Sequence, residues 1–299
     1  MSDTGKRSVA SDFHPELLAL FDRYVHHLID RRAFLEGAAK FAAAGLSATA
    51  ILEALAPKFA QAQQVPPSDE RLHSEFVEFS SPAGYGKGRG YLVKPAKAHG
   101  KLPSVLVAHE NRGLNPHIED ITRRLALEGF LAFAPDALFP LGGYPGDEDR
   151  ARESFAKLDK AKTQADFVAA TELLGKRPES NGKVAVTGFC WGGGISNFLA
   201  TRLPKLKAAV PFYGSPPELD KVPAIRAPLL LHFAEHDERI NAAWPAYEAA
   251  LRAASVRYQA FVYPGTQHGF NNDTTPRYDP AAAKLAWTRT IEFLRQHTS

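Results

Sequence analysis

The sequence contains little that could form covalent cross-links or bind polyanions. It has one cysteine in 299 residues, so an internal disulfide is excluded. The formal net charge is only +3 and no long run of one charge sign occurs, so nothing indicates nucleic-acid binding. With 44% hydrophobic and 23% charged residues, the composition is that of an ordinary globular chain, long enough to bury a large core.

The first 64 residues differ from the rest and form a separate N-terminal segment. The stretch PELLALFDRYVHHL places apolar residues at helical spacing, which predicts an amphipathic helix. Arg31 and Arg32 follow, then a mildly apolar run of small residues and the A-x-A site Ala60-Gln61-Ala62. This order resembles a twin-arginine signal and predicts a periplasmic protein delivered by the export machinery.

Several features of this segment depart from an export signal. Asp30 stands where Ser or Thr is usual, and Lys40 and Glu53 interrupt the apolar run. The run is also too polar for a stable membrane span. The alternative is a pair of helices docked on a cytoplasmic protein, so the sequence leaves open whether residues 1–62 are cleaved or docked.

Residues 65–299 form the second predicted domain, in which apolar strands alternate with helical patterns. Two alternating segments, EFVEFS and RGYLVKP, begin it, and buried strands such as SVLVAH, KVAVTGF and PLLLHFAE follow. Helices are predicted near 118–128, 150–174, 192–202, 242–254 and 281–296. This alternation predicts an α/β-hydrolase type of fold, a mostly parallel sheet with helices on both faces and a ligand site at the carboxyl ends of its strands.

The single cysteine lies in a Gly188-Phe189-Cys190-Trp191-Gly192 turn between a predicted strand and a predicted helix. This is the context of a nucleophile elbow, where glycines on either side permit a turn too sharp for larger residues. The following helix N-terminus would favour the thiolate. A buried cysteine that merely fills space is the alternative, but it would need neither the glycines nor this context.

A nucleophilic thiol needs a base and a group that orients the base. Asp237 follows one predicted strand and His268 follows the next, in the chain order nucleophile, acid, histidine. His232 falls inside an apolar strand and is interpreted as a core histidine, and His236 is left unassigned. Cys190, Asp237 and His268 are therefore the predicted triad.

His109 and Glu110 end another predicted strand. The zinc motif H-E-x-x-H fails here, because Gly113 stands in place of the second histidine, so no metal is expected. A backbone N–H in this loop, together with that of Trp191, would instead suit a developing oxyanion.

Taken together, HENRGLNPHIED, GFCWGGG, the HD after a strand and QHGFNND resemble the dienelactone hydrolase (carboxymethylenebutenolidase) family across residues 75–299. The resemblance implies a triad of Cys190, Asp237 and His268 that requires no cofactor. It also implies that Glu110 interacts with the resting cysteine, and that the amides of Asn111 and Trp191 form the oxyanion hole.

The sequence departs from the family where two arginines are expected to bind a substrate carboxylate. One position is Asn272, and the other region contains Phe139 but no arginine. Arg112 or Arg277 could substitute. Phe139, Tyr213, Phe270 and Asn272 are expected to line the substrate pocket, with plain packing as the alternative for the aromatic residues.

The predicted function is hydrolysis of an ester or lactone bond in a small substrate. The alternatives are a general carboxylesterase with a different substrate range, and a non-catalytic binding or stress-related protein on the same fold.

Overall fold

A single eight-stranded sheet forms the centre of the protein, for which a computed structural model describes residues 8–42 and 47–299. Its strands run in the order β1-β2-β4-β3-β5-β6-β7-β8. They comprise β1 Leu72–Ser81, β2 Gly86–Pro95, β3 Leu102–Ala108, β4 Leu131–Pro135, β5 Ser180–Phe189, β6 Ala208–Phe212, β7 Leu229–His236 and β8 Tyr258–Gln267. The first two strands pair antiparallel, and β2 pairs antiparallel with β4. All the other pairs are parallel.

Helices cover both faces of the sheet. The α-helices of the described residues are α1 Pro15–Val25, α2 Arg31–Ala38, α3 Ala48–Leu55, α4 Phe59–Ala62, α5 Pro116–Leu127, α6 Glu148–Phe155, α7 Lys160–Lys176, α8 Trp191–Arg202, α9 Glu238–Asn241, α10 Trp244–Ala253 and α11 Pro280–Thr298. One core joins α5 and α11 to the sheet, and the other joins α7, α8 and α10 to it. The predicted α/β fold with a mostly parallel, doubly covered sheet is therefore confirmed.

The single long helix predicted over 150–174 is wrong. The chain forms α6 and α7 instead, separated by a short non-helical stretch before Lys160. Asp159 is the reason, because its carboxylate accepts a hydrogen bond from the backbone N–H of Lys162 (2.9 Å) and so caps a new helix. Aspartate is favoured at such an N-cap and is a weak residue in a helix interior.

The N-terminal segment has a small core of its own, made by α1, α2 and α3 around Phe21 and Phe34. Asp30, which departs from the export pattern, caps α2 by accepting a hydrogen bond from the N–H of Ala33 (2.8 Å). Part of the predicted apolar run, residues 43–46, lies outside the described residues. Across 8–42 and 47–299, no helix combines the length and the apolar character that crossing a bilayer requires.

Hydrogen bonds hold this segment against the larger domain. The hydroxyl of Tyr24 donates to Asp149 (2.5 Å), and Arg152 donates to the carbonyl of Tyr24 (2.7 Å). The guanidinium of Arg152 also lies 3.7 Å from the ring centroid of Tyr24. The side chain of Asn111, in the loop after β3, also donates to the carbonyl of Val25, so α1 is docked at the end of the sheet where the parallel strands have their carboxyl termini.

Candidate active site

Cys190 occupies a strained turn at the carboxyl end of β5. Its backbone angles, φ 57° and ψ −115°, lie in a region that non-glycine residues rarely adopt, at a typical cost of about 1–3 kcal/mol. The N–H of Cys190 donates to the carbonyl of Phe212 (3.1 Å), and α8 begins at the next residue. The turn therefore lifts the side chain above the sheet at the N-terminus of a helix, as a nucleophile elbow requires.

Close backbone approaches explain three glycines around this turn. A Cβ on Gly188 would lie 2.1 Å from the carbonyl oxygen of Gly192, and one on Gly192 would lie 2.1 Å from that of Ala108. A Cβ on Gly193 would lie 2.5 Å from the carbonyl oxygen of Phe212. Gly194 is different, because its nearest neighbour would be 3.7 Å away. The steric reason predicted for Gly188 and Gly192 is therefore confirmed, and it extends to Gly193 but not to Gly194.

The predicted acid and histidine meet directly after adjacent strands. Asp237 follows β7 and His268 follows β8, and these strands are parallel neighbours. Nδ1 of His268 lies 2.5 Å from Oδ2 of Asp237, with both side chains buried. Nε2 of His268 has no hydrogen-bond partner among the described residues and lies within 4.8 Å of the sulfur of Cys190. The Asp–His pair thus presents a free ring nitrogen to the thiol.

The charges around the thiol favour a thiolate–imidazolium pair. Burial raises the pKa of Cys190, but the positive charges of His268 and His26, together with the hydrogen bond from His26, lower it to about 6. Burial lowers the pKa of His268, but the negative charges of Cys190 and Asp237 raise it to about 10. Opposite charges at this separation stabilise each other's ionised form.

A second histidine, which the sequence analysis did not single out, contacts the sulfur. His26 comes from the end of α1, and its Nε2 lies 3.3 Å from Sγ of Cys190. Its only sequence signal is a His-His pair after an amphipathic helix, and nothing in that pattern predicts where the helix docks. The sulfur of Cys190 and the ring nitrogens of His26 and His268 lie close together, and thiolate and imidazole groups are ligands of soft cations.

Glu110 and its neighbours lie at the end of β3, beside the elbow. The carboxylate of Glu110 accepts a hydrogen bond from Asn272 (2.8 Å), one of the positions where an arginine was expected. Within the described residues, the hydrogen-bond partner of the cysteine sulfur is His26 and not Glu110. The ring of His109 is buried and stacks on Trp191, and burial lowers its pKa to about 4, so it is neutral.

The predicted oxyanion donors come from the residue after the cysteine and from the loop after the neighbouring strand β3. Trp191 is the first residue of α8, where a backbone N–H has no acceptor within the helix. Asn111 lies in the loop after β3, and its side-chain amide donates to the carbonyl of Val25 (2.8 Å). The parallel pairing of β3 with β5 brings this loop next to Cys190.

The residues predicted to line the substrate pocket lie in different places. Tyr213 and Phe270 are fully buried, and the ring of Tyr213 packs against both His268 and Phe270. Phe139 lies under the guanidinium of Arg89 and lines neither of the two cavities beside Cys190. Asn272 does border one of those cavities. The structure therefore brings Asn272 to the site but places the two buried aromatic residues behind it.

Both arginines considered as carboxylate binders are near the site and already engaged. Arg277 pairs with Asp22 of α1 (3.3 Å). Arg112 pairs with Glu148 (3.5 Å) and donates to the carbonyl of Val25 (3.4 Å). The N-terminal segment therefore supplies acceptors to both cations.

Two cavities meet at the cysteine, with volumes of about 780 and 440 Å³. The larger has a partly apolar wall that includes Phe155, Ile195 and Phe198, with Lys160 and Lys221 also lining it. The smaller contains His268, Glu110 and Arg277. His26, Asn111 and Cys190 border both cavities.

His232, interpreted as a core histidine, is one. It is buried, its Nδ1 lies 2.8 Å from the hydroxyl of Tyr263, and its Nε2 lies 3.1 Å from Oγ1 of Thr290. Burial lowers its pKa to about 3, so it is neutral and far from catalytic competence as a base at neutral pH.

The family of this chain is identified by its similarity to known proteins. The model of the "Dienelactone hydrolase family" matches residues 89–298. The chain belongs to the dienelactone hydrolase family. It is accordingly a hydrolase of the carboxylic ester type, as predicted. A second family model, described as "YqhI-like", matches residues 5–42.

Individual relatives agree with this assignment. The chain is 50% identical over 114 residues to "Putative hydrolase fragment YghX" of Escherichia coli (strain K12), covering 38% of this chain and 97% of the relative. It is 35% identical over 222 residues to a "Putative carboxymethylenebutenolidase" of the same organism, covering 69% and 82%. A solved "Putative Dienelactone Hydrolase" from Klebsiella pneumoniae is 31% identical, with a TM-score of 0.67 over 75% of this chain and 99% of that one.

Proposed function

We propose that this dienelactone hydrolase family member cleaves an ester or lactone bond of a small substrate by acyl transfer through Cys190. The single observation that carries the proposal is the elbow. A strained turn places the only thiol of the chain within 4.8 Å of the free nitrogen of a buried Asp–His pair. A packing cysteine has no reason to occupy strained backbone in front of such a pair.

The first half of the reaction is attack by the thiolate. The sulfur adds to the substrate carbonyl carbon, and the carbonyl electrons move onto oxygen. The N–H groups of Trp191 and Asn111 would stabilise this oxyanion, each donor being worth about 3 kcal/mol in comparable enzymes. When the tetrahedral intermediate collapses, the C–O bond to the alcohol breaks, and protonated His268 gives its proton to the leaving oxygen.

The second half is hydrolysis of the thioester. Neutral His268 takes a proton from water, the hydroxide adds to the acyl carbon, and the C–S bond breaks to regenerate the thiolate and imidazolium pair. Asp237 holds the ring through its Nδ1, so Nε2 faces the reacting atoms in both halves. His268 therefore transfers the proton in both halves of the reaction.

The substrate is better described as an uncharged ester or lactone than as one carrying a carboxylate. Asn272 stands where an arginine was expected, and Arg277 is paired with Asp22. An uncharged amide cannot replace the charge-assisted, bidentate contact that an arginine gives to a carboxylate. This observation favours the alternative of a carboxylesterase whose substrate range differs from that of dienelactone hydrolases.

A panel of aryl esters and cis- and trans-dienelactone, tested with the wild type and Cys190→Ala in parallel, checks the proposal. We expect turnover of simple esters by the wild type, weak turnover of dienelactone, and none by the variant. Equal activity of both proteins would rule out Cys190 as the nucleophile. Inactivity of both on every ester would favour a non-catalytic binding protein.

Export through the twin-arginine pathway stays a prediction. Arg31 opens α2 and lies 3.4 Å from Asp149 of the larger domain, while Arg32 pairs with Glu36. Fractionation of cells that express the wild type or the double variant Arg31→Lys, Arg32→Lys tests it. Loss of periplasmic protein in the variant is the expected result, and an unchanged distribution would contradict it.

A further inference from the structure

Two aspartate–histidine pairs converge on the sulfur of Cys190, and only one of them belongs to the larger domain. The second pair is Asp22 and His26, one helical turn apart at the end of α1, and is called the N-terminal pair below. Nδ1 of His26 lies 2.8 Å from the carbonyl oxygen of Asp22 and 3.2 Å from its carboxylate. Nδ1 is thereby held as the donor and Nε2 is directed at the sulfur, 3.3 Å away.

The N-terminal pair repeats the arrangement of Asp237 and His268 from the opposite side. The rings of His26 and His268 are 4.6 Å apart and nearly perpendicular, at 88°. Each ring has a carboxylate behind Nδ1 and the sulfur in front of Nε2. A carboxylate behind a histidine fixes the tautomer and increases the basicity of the other nitrogen.

The position of this pair is fixed by contacts with the larger domain. Arg277 pairs with the carboxylate of Asp22 (3.3 Å), and the side-chain amide of Asn111 donates to the carbonyl of Val25 (2.8 Å). The side chain of His26 is only 10% exposed. Contacts on Asp22 and Val25, on the turn that leads to His26, therefore hold this side chain in place at the sulfur.

The charged groups that face His26 come from four elements. Burial opposes the protonated form of His26 most strongly, the thiolate of Cys190 and the hydrogen bond to Asp22 favour it, and the neighbouring His268 opposes it. Together, these effects raise the pKa of His26 above its ordinary value. His27 follows it in the chain, and its own pKa is lowered, mainly by burial.

The exposed Arg239 is the fourth neighbour, with its Nη2 3.0 Å from Nε2 of His26. An arginine can only donate, so Nε2 accepts from Arg239 when His26 is neutral and donates to sulfur when His26 is protonated. These two states correspond to the thiol and thiolate forms of Cys190. Because Arg239 is exposed, it can turn to solvent when the second state forms.

We propose that His26 is a further catalytic residue, which donates a hydrogen bond to the Cys190 thiolate and keeps it ionised, and that Asp22 is its positioning residue. The proposal rests on Cys190 being the nucleophile. Asp22 also occupies Arg277, so the same pair excludes substrate carboxylates from that cation. The N-terminal segment is then part of the active site, and cleavage after Ala62 would remove both residues from the enzyme.

The pH dependence of alkylation tests this directly, because iodoacetamide reports on one thiol in a chain with one cysteine. The rate is measured by intact mass from acid to alkaline pH for the full-length wild type, His26→Gln and Asp22→Asn. Each rate is normalised to its alkaline plateau, where the thiol is fully ionised in every protein. Tyr24→Phe, which removes an anchoring hydrogen bond to Asp149 without altering the pair, is the docking control.

The wild type and Tyr24→Phe should reach half of the plateau at a similar, low pH. His26→Gln should reach half of its plateau at a higher pH. Each pH unit by which this midpoint rises lowers the normalised alkylation rate at acid pH about tenfold. Asp22→Asn should shift in the same direction by less. A folded His26→Gln, judged by circular dichroism, that titrates like the wild type would overturn the proposal but leave Cys190 as nucleophile. A wild type that titrates like an ordinary thiol would overturn both.

Discussion

Replacement of Gly192 by alanine should be among the most damaging single-methyl changes in this chain. The new Cβ would lie 2.1 Å from the carbonyl oxygen of Ala108 and 2.5 Å from that of His109. Both acceptors belong to the backbone at the end of β3, so more than about 1 Å of main-chain movement is needed to restore an ordinary contact. Overpacking against side chains typically costs about 1–3 kcal/mol, and a rigid backbone gives less room, so we expect a loss of about 3 kcal/mol or more.

Gly194 provides a matched control two residues further along α8. A Cβ there would meet nothing closer than 3.7 Å, and alanine is favoured over glycine inside a helix by about 0.5–1 kcal/mol. Urea denaturation followed by circular dichroism should therefore show Gly192→Ala destabilised and Gly194→Ala equal to the wild type or slightly more stable. Two variants of equal stability would refute the packing of the elbow described here.

Three further predictions concern the triad and the core. Asp237→Asn should lower kcat/KM on an aryl ester by about three to four orders of magnitude while leaving the fold intact, because His268 loses the group that sets its tautomer; a loss of less than tenfold would remove Asp237 from the triad. The pH profile of kcat/KM should rise as the thiol ionises, with a pKa of about 6, and fall as His268 loses its proton, with a pKa of about 10; a rate that still climbs steeply above neutral pH would contradict the thiolate pair. Tyr263→Phe should cost about 1–3 kcal/mol in urea denaturation, since it leaves Nδ1 of His232 buried without its partner, and an unchanged midpoint would show that the histidine finds another.

The sheet and the meeting of Cys190, Asp237 and His268 could be predicted from the sequence because their signals are local. Cys190, Asp237 and His268 each follow a strand at once, and parallel strands end at the same edge, so chain position alone brings the three together. The glycine spacing around Cys190 carries its own steric reason. The helical pattern over 150–174 does not show the break before Lys160, because Asp159 fits that pattern as an exposed residue although it caps α7 in the structure.

The N-terminal contribution to the site could not be predicted in the same way. The amphipathic pattern of α1 predicts a helix with a buried face, but it does not say which surface covers that face. His26 reaches Cys190 across 164 residues of chain, and the contacts that place it come from Asn111, Arg152 and Arg277. Long-range docking of this kind depends on the surface of the folded larger domain, which the spacing of residues within α1 does not predict.

Trapping the acyl-enzyme intermediate shows directly whether Cys190 carries the acyl group. Wild type and Cys190→Ala are mixed with an activated aryl ester, quenched with acid within the first turnovers, and weighed intact by mass spectrometry. We expect one added acyl group on the wild type, released by hydroxylamine at neutral pH as a thioester would be, and none on the variant. An acyl group that also appears on Cys190→Ala, or turnover of the ester by that variant at the wild-type rate, would contradict this expectation.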